Sequence, residues 1–238
     1  MIPKIIHTCW FGGAPKGKLI EDCIGSWKEH LPDYTIREWN EQNYHSNSYF
    51  FQYAIQHKKY AFASDLARFE VLNREGGIYL DTDMLFLRSM DGCLQHDAFF
   101  GFEDAAHVSC GVIGSIPGHP LLQRVCNRLQ AATDDSFFKG YTIVKLLNEC
   151  LKDLPLEHQP YVYPVDVFYP YPYAASGNPM QYATAETLAI HLWNASWFGD
   201  YERATLLNQQ GKKGEARSLY LKSLWRQPKN IRYFKRFF

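Results

Sequence analysis

The alternation of apolar and polar residues opens the chain on a strand. Ile2 to Trp10 is almost continuously apolar, as in a strand buried on both faces of a parallel or mixed sheet, and Phe11-Gly12-Gly13 turns the chain just beyond it. Leu19 to Leu31 has helical spacing and stops at Pro32-Asp33. Tyr34 to Trp39 alternates and predicts a second strand. The strongest helical signal runs from Lys59 to Glu75. It lacks Gly and Pro and carries an apolar stripe of Phe62, Leu66, Phe69 and Leu72. Ala61, Ser64, Asp65 and Arg68 share a second face by their i, i+3, i+4, i+7 spacing. Gly76-Gly77 predicts a stop through the left-handed conformation open to glycine. Ile78-Tyr79-Leu80 then forms a short apolar strand, and the apolar run resumes at Met84 to Leu87 after Asp81-Thr82-Asp83.

Further on, Ala98–Phe102 and Cys110–Ser115 read as strands around a polar loop holding Glu103, Asp104 and His107, three candidates for an acceptor-side lining. Pro120 to Thr133 predicts a helix, and Phe138 to Leu151 follows. Pro155 to Pro179 is so dense in Pro and Tyr that it predicts an extended wall without regular structure. Ala189 to Trp197 starts as a strand and ends polar. Tyr201 to Trp225 predicts two helices around Gly211–Gly214. Ala216, Tyr220, Ser223 and Pro228 match half of a tetratricopeptide-like pattern, and one such unit cannot stack into a solenoid. The strand–helix–strand opening implies an α/β class. The expected division is a catalytic domain over residues 1–200 and a helical, basic appendage over 201–238.

Composition changes this picture at the end of the chain. Formal charge is zero over 238 residues, but from Lys212 onward nine Lys or Arg face the single acid Glu215, which leaves the preceding part at −8. The end, WRQPKNIRYFKRFF, interleaves bases with aromatics, a composition suited to an anionic membrane surface. Nucleic acid is disfavoured, because the acidic remainder would repel phosphate. No basic segment followed by an apolar core opens the sequence, and no apolar run approaches the roughly 20 residues of a membrane span. The six cysteines form no C-x-x-C pair, as expected of free thiols in a reducing cytosol. The expected location is therefore cytoplasmic, peripheral on the cytoplasmic membrane face.

The candidate chemistry lies at Asp81-Thr82-Asp83. Two carboxylates inside an apolar run are costly unless something neutralises them, and a divalent cation does so. On an ideal strand Asp81 and Asp83 project to one side. No G-x-G-x-x-G or Walker loop is present, so any phosphates must be held by metal and side chains. His191, at the end of an apolar stretch, suits an Mn²⁺-type site as third protein ligand, with Ser196 as the alternative. Trp10, beyond a strand's carboxyl end, is placed to stack on a flat base. Asn43 follows the second strand and is a nucleotide-contact candidate. Asp65 and Arg68 are either a surface ion pair or a sugar- and diphosphate-binding pair.

The pieces IPKIIHTCWFGG, SDLARFEVL, GGIYLDTDM and HLWNASW occur in this order along nearly the whole chain. Together they resemble glycosyltransferase family 32, which includes mannosyltransferases, capsule and lipopolysaccharide sugar transferases and, more distantly, the large glucosylating bacterial toxins. The resemblance implies a GT-A type fold with a mixed central sheet. It also implies transfer of a hexose from a UDP- or GDP-sugar to a glycan or lipid-linked oligosaccharide acceptor, with Mn²⁺ or Mg²⁺ and with retention at the anomeric carbon. It puts Asp81, Asp83, Arg68 and Asp65 in catalysis. It puts Trp10, Asn43, Ser64, Tyr79, Thr82, Ser196 and Trp197 with Asp65, Arg68 and Asp81 at the donor, and Asp81, Asp83 and His191 at the metal. One departure stands out: relatives tend to carry Gly-Pro where this chain has Gly140-Tyr141. Two competitors remain. A haloacid-type phosphohydrolase also uses D-x-D after an apolar strand, but it usually wants Thr or Val where Leu85 stands. A non-catalytic glycan-binding module would account for the tyrosine-rich wall.

Overall fold

The computed structural model describes residues 1–194, 200–226 and 235. The chain forms two compact units. The first comprises Met1–Tyr171 and Tyr182–Leu192; the second comprises Pro172–Gln181 and the described residues from Trp193 on.

In the first unit six strands make one sheet: β1 (Ile5–Cys9), β2 (Thr35–Trp39), β3 (Gly77–Leu80), β5 (Ala98–Phe102), β6 (Val108–Ser115) and β7 (Tyr161–Tyr163), in the order β2-β1-β3-β6-β5-β7. β6 runs antiparallel to both of its neighbours, and the other pairings are parallel. A second, two-stranded ladder pairs β4 (Met84–Phe86) with β8 (Ala189–His191), putting Met84 opposite His191. The helices of this unit are α1 (Lys18–His30), α2 (Tyr49–Gln56), α3 (Tyr60–Glu75), α4 (Pro120–Gln130), α5 (Ile143–Lys152) and the single turn α6 (Val165–Phe168). The second unit contains α7 (Asp200–Gln209) and α8 (Lys213–Arg226), packed through buried Ala204, Ala216 and Tyr220. The basic, aromatic end beyond Arg226 lies outside the described residues apart from Lys235. Among the described residues no helix is long and apolar enough to cross a membrane. All six cysteines are free and buried.

Several expectations change in detail. Ser48 caps α2 by accepting from the Phe51 N–H. This helix of aromatic residues was not foreseen between the second strand and α3. The Pro- and Tyr-rich run is not wholly irregular: β7 adds to the sheet edge and α6 follows it. There the prolines flank the regular pieces, Pro160 before the strand and Pro164 at the start of the helical turn.

The turn from α3 into β3 sets up the site. Gly76 has φ 66° and ψ −167°, a region essentially reserved for glycine and distinct from the left-handed helical cap. Gly77 has φ 104°, and a Cβ there would lie 2.6 Å from the Ile5 carbonyl oxygen. The chain therefore leaves the helix and enters the sheet centre within two residues. His7 of β1 secures the turn. Its Nε2–H donates to the Gly76 carbonyl (2.9 Å), and its Nδ1 accepts from Trp39 Nε1–H (3.0 Å). Both ring nitrogens are thus committed with the imidazole neutral, and burial holds its pKa below the ordinary value. α1 secures the other side: Trp27 Nε1–H donates to the Met84 carbonyl (2.7 Å), and Ser26 Oγ accepts from the Phe86 N–H (2.9 Å).

A pH dependence follows. Because the folded pKa of His7 lies below that of the unfolded chain, near 6.5, the unfolded state takes up more protons on acidification. The His7 contribution is therefore complete above about pH 6.5 and is lost as pH falls through the folded value. Trp39→Phe removes the donor that occupies Nδ1. Its His7 ring signals in NMR should titrate at higher pH than the parent's, at a stability cost of about 1 kcal/mol. Identical titration curves would contradict this account of His7.

Candidate active site

The carboxyl ends of β1 and β3 lie side by side, since β1 pairs with β3 in parallel with His7 opposite Tyr79. Ligands of open α/β sheets bind beyond such ends. Asp81 follows β3 there, and Trp10 follows β1. The two acids do not sit on an extended strand. β3 stops at Leu80, and Asp81-Thr82-Asp83 forms a turn closed by the Met84 N–H donating to the Asp81 carbonyl (3.1 Å). They converge through this turn rather than through strand alternation. Leu192 N–H also donates to the Asp83 carbonyl (3.0 Å), so the end of β8 is tied to the acid turn.

That tie brings in His191. One ligand atom each from Asp81, Asp83 and His191 lies within 4.8 Å of the others. His191 Nε2–H donates to Asp83 Oδ1 (3.1 Å), and the Tyr169 ring packs edge-on against the imidazole. Asp83 and His191 are buried, whereas the Asp81 side chain is 28% exposed. Burial lowers the His191 pKa more than any single interaction raises it, but Asp83, Asp81 and Glu103 together outweigh it, and the net shift is upward. Two carboxylates and an imidazole, one acid open to solvent, are a donor set suited to Mn²⁺ or Mg²⁺.

Arg68 is the centre of the neighbouring cluster. Buried with Asp65 at 6% and 5% exposure, it is no surface ion pair. Its guanidinium lies 3.2 Å from Asp65 Oδ1 and 3.3 Å from Asp81 Oδ1, donates to the carbonyls of Cys110 (2.8 Å) and Ser64 (3.2 Å), and lies over the Tyr79 ring. The Tyr79 hydroxyl donates to Asp81 Oδ1 (2.9 Å). Burial pushes the Asp65 carboxyl up to about 7, against the pull of Arg68 and of the Tyr141 hydroxyl, which donates to Asp65 Oδ2 at 3.1 Å. A divalent cation would favour neutral His191 and ionised carboxylates, and Asp65, Asp81 and Asp83 then outnumber Arg68 by the two charges it carries.

The remaining sequence candidates are placed as follows. Trp10 is half-buried; its Nε1–H donates to the Ala14 carbonyl (2.6 Å), and Lys16 Nζ lies 5.3 Å from its ring centre. Asn43 uses its amide within the loop after β2: Oδ1 accepts from the Asn40 N–H, and Nδ2–H donates to the Glu38 carbonyl, both at 2.9 Å. Ser64 Oγ–H donates to the Tyr60 carbonyl (3.0 Å). Thr82 is the half-buried middle of the acid turn. Glu103 is pushed up by burial, with His191 among the groups it feels, whereas Asp104 and His107 pair with each other on the surface. Ser196 and Trp197 lie outside the described residues.

Two participants escaped the sequence. Tyr141 stands at the Gly140-Tyr141 departure and holds Asp65. Gly111 gives its carbonyl to the Asp81 N–H (2.8 Å), and a Cβ on it would sit 3.0 Å from the Tyr169 hydroxyl and 3.1 Å from Asp81 Oδ2. A glycine inside a buried strand was the available signal of such a close approach.

Comparison with known proteins bears on this arrangement. Residues 17–100, which hold Asp65, Arg68, Asp81 and Asp83, match the glycosyltransferase sugar-binding region containing the DXD motif. The uncharacterized glycosyltransferase L373 of Acanthamoeba polyphaga mimivirus is 27% identical over 191 residues, 71% of this chain and 75% of that one. Inositol phosphoceramide mannosyltransferase 3 of Schizosaccharomyces pombe is 28% identical over 152 residues, 60% of this chain, but only 41% of its own length is covered. The PaToxG glycosyltransferase superposes with a TM-score of 0.51 at 19% identity, covering 63% of this chain and 68% of that one, and shows a shared GT-A type fold. Over residues 17–100, then, the chain is similar to the DXD-containing sugar-binding region of glycosyltransferases, and its fold is of their GT-A type.

Proposed function

We propose that this chain transfers a hexose from a nucleotide-sugar to a hydroxyl of a glycan acceptor, with a divalent cation held by Asp81, Asp83 and His191. The observation that carries this is the convergence of those three side chains within 4.8 Å, beside a buried arginine. Bound there, Mn²⁺ or Mg²⁺ would supply positive charge to the diphosphate leaving group. The chain's own groups do the rest. Arg68 is a fixed cation beside Asp81, preorganised for charge that develops on leaving oxygens. Asp65 accepts from sugar hydroxyls, and Tyr141 and Arg68 set its orientation. Trp10 offers its indole face to the nucleotide base. Among the described residues no second carboxylate is set apart as a covalent nucleophile, unlike the acid pair of a retaining glycosidase. The retention that the family resemblance implies would then proceed by attack on the face the diphosphate leaves. The acceptor is part of a surface polysaccharide or a lipid-linked oligosaccharide, and the basic, aromatic end of the chain supports contact with an anionic membrane surface.

Screening nucleotide-sugars for thermal stabilisation with and without Mn²⁺ tests the donor. Saturation at about 100 Kd should stabilise the fold by about 2.7 kcal/mol. Asp83→Asn should lose the Mn²⁺-dependent part of that response and reduce transfer by about 10² or more, with a circular dichroism spectrum like the parent's. Full activity in Asp83→Asn would remove the cation from the reaction. Gly111→Ala inserts a methyl between Tyr169 and Asp81. Expected are a stability loss of about 1–3 kcal/mol and weaker Mn²⁺ binding in a titration followed by electron paramagnetic resonance. Unchanged Mn²⁺ affinity would show that the position of Asp81 does not govern the site.

A further inference from the structure

At the opposite end of the sheet lies a feature with no part in this chemistry. β3 begins opposite Ser115, the last residue of β6, and ends opposite Val112. The acid turn follows its end. Around its beginning, Asp97 before β5, Ile116 after β6 and Pro160 before β7 border a depression of about 470 Å³, within the size range of ligand sites. A second depression of about 440 Å³ adjoins it, sharing Pro120 and His158, and continues along α4.

His119 lines the first depression and is 5% exposed. Its Nδ1 accepts from the Leu121 N–H (3.3 Å) as the N-cap of α4, which fixes its proton on Nε2. Burial lowers its pKa and keeps the ring neutral. No acceptor among the described residues meets that Nε2–H. A donor that reaches the wall of a depression from a residue only 5% exposed is open to an outside acceptor. Tyr161 lines the same depression and is 48% exposed, one ring face backed by His96 at 4.3 Å and 6° between planes. His96 Nε2–H donates to the Tyr163 hydroxyl (3.2 Å), which holds the pair in place. The free Tyr161 face is a rigid platform, and Asp97 and Glu157 add carboxylate acceptors at the rim.

The ligand class follows from these groups. A fixed donor, carboxylate acceptors and an aromatic plate match a ring that carries hydroxyls on its edge and C–H groups on its face. The carboxylates disfavour phosphates and uronic acids in the first depression. The second is lined by Arg124 and Arg128, which disfavours a polycation. Only an uncharged chain suits both lobes, and their continuity suits an oligomer. We propose that the groove joining His119, Tyr161, Asp97 and Glu157 is a non-catalytic binding site for a neutral oligosaccharide. This does not rest on the transfer proposed above, and its assay contains no nucleotide.

The test uses the full chain without metal and with linear mannose and glucose pentasaccharides, followed by saturation-transfer NMR. Pentagalacturonate serves as the anionic counterpart. His119→Asn keeps a cap for α4, because Asn is a favoured N-cap residue, but is too short to present the donor. Tyr161→Ala removes the platform. Expected is binding of at least one neutral pentasaccharide and none of pentagalacturonate, weakened about tenfold in each variant. Mn²⁺-dependent responses to nucleotide-sugars should stay as in the parent. The site is overturned if neither neutral pentasaccharide binds, if both variants bind as well as the parent, or if pentagalacturonate binds equally well.

Discussion

A single guanidinium holds the site together. Arg68 joins α3, through Ser64 and Asp65, to the end of β3, through Asp81, and to β6, through the Cys110 carbonyl. On the surface such an i, i+3 pair contributes a few tenths of a kcal/mol. Buried, each charge costs several kcal/mol to desolvate, and one partner seldom offsets that. Arg68 has two carboxylates, two carbonyls and an aromatic face, which together make its burial tolerable. Removing it would leave Asp65 and Asp81 facing each other uncompensated, a loss on the order of 3–5 kcal/mol. The same residue therefore sets both the stability of this end of the two central strands and the field at the acid turn.

The acid turn shows how packing and electrostatics work together. Asp81 is held by Tyr79, Arg68 and the Gly111 carbonyl, while Asp83 is held by His191 and by Leu192 at the end of β8. The two aspartates belong to one short turn but are fixed by different parts of the fold. α1 presses β4 into place beneath them with Trp27 and Ser26. Preorganisation of this kind would remove the cost of gathering like charges around the proposed cation and diphosphate.

Much of this was legible in the sequence, and the remainder has identifiable physical reasons for being hidden. α3, the glycine stop and the strand before the acids each follow from local rules of propensity and periodicity. The convergence of His191 on the acids was legible only through the resemblance, since 108 residues separate His191 from Asp83. Local rules failed where tertiary packing decides. α2 is built of Tyr and Phe, weak helix formers, and exists because Phe50, Phe51 and Ala54 are buried against the core. The burial of Asp65 and Arg68 could not be told from a surface pair, as spacing is the same in both. Tyr141 reached Asp65 through a loop whose path no periodicity describes. The acids converge in a turn, because the chain bends at Asp81 to Asp83 instead of continuing β3 as an extended strand, and strand alternation does not describe a bend.

β6 relates the two ends of the sheet. Its first half supplies the Cys110 and Gly111 carbonyls to Arg68 and Asp81, and its last residue, Ser115, lies beside the histidine-lined groove. All eight of its residues are buried, and it is hydrogen-bonded on both sides. A strand so constrained has no second arrangement to adopt, and coupling between sites requires one. Occupation of the groove therefore would not alter the chemistry at the acid turn. What it would change is proximity: a glycan held at one end of the sheet has its free end at a raised effective concentration near the other, if the chain is long enough to span them. The benefit would then depend on acceptor length, vanish for short acceptors, and fall again for very long ones. An allosteric coupling would show no such dependence.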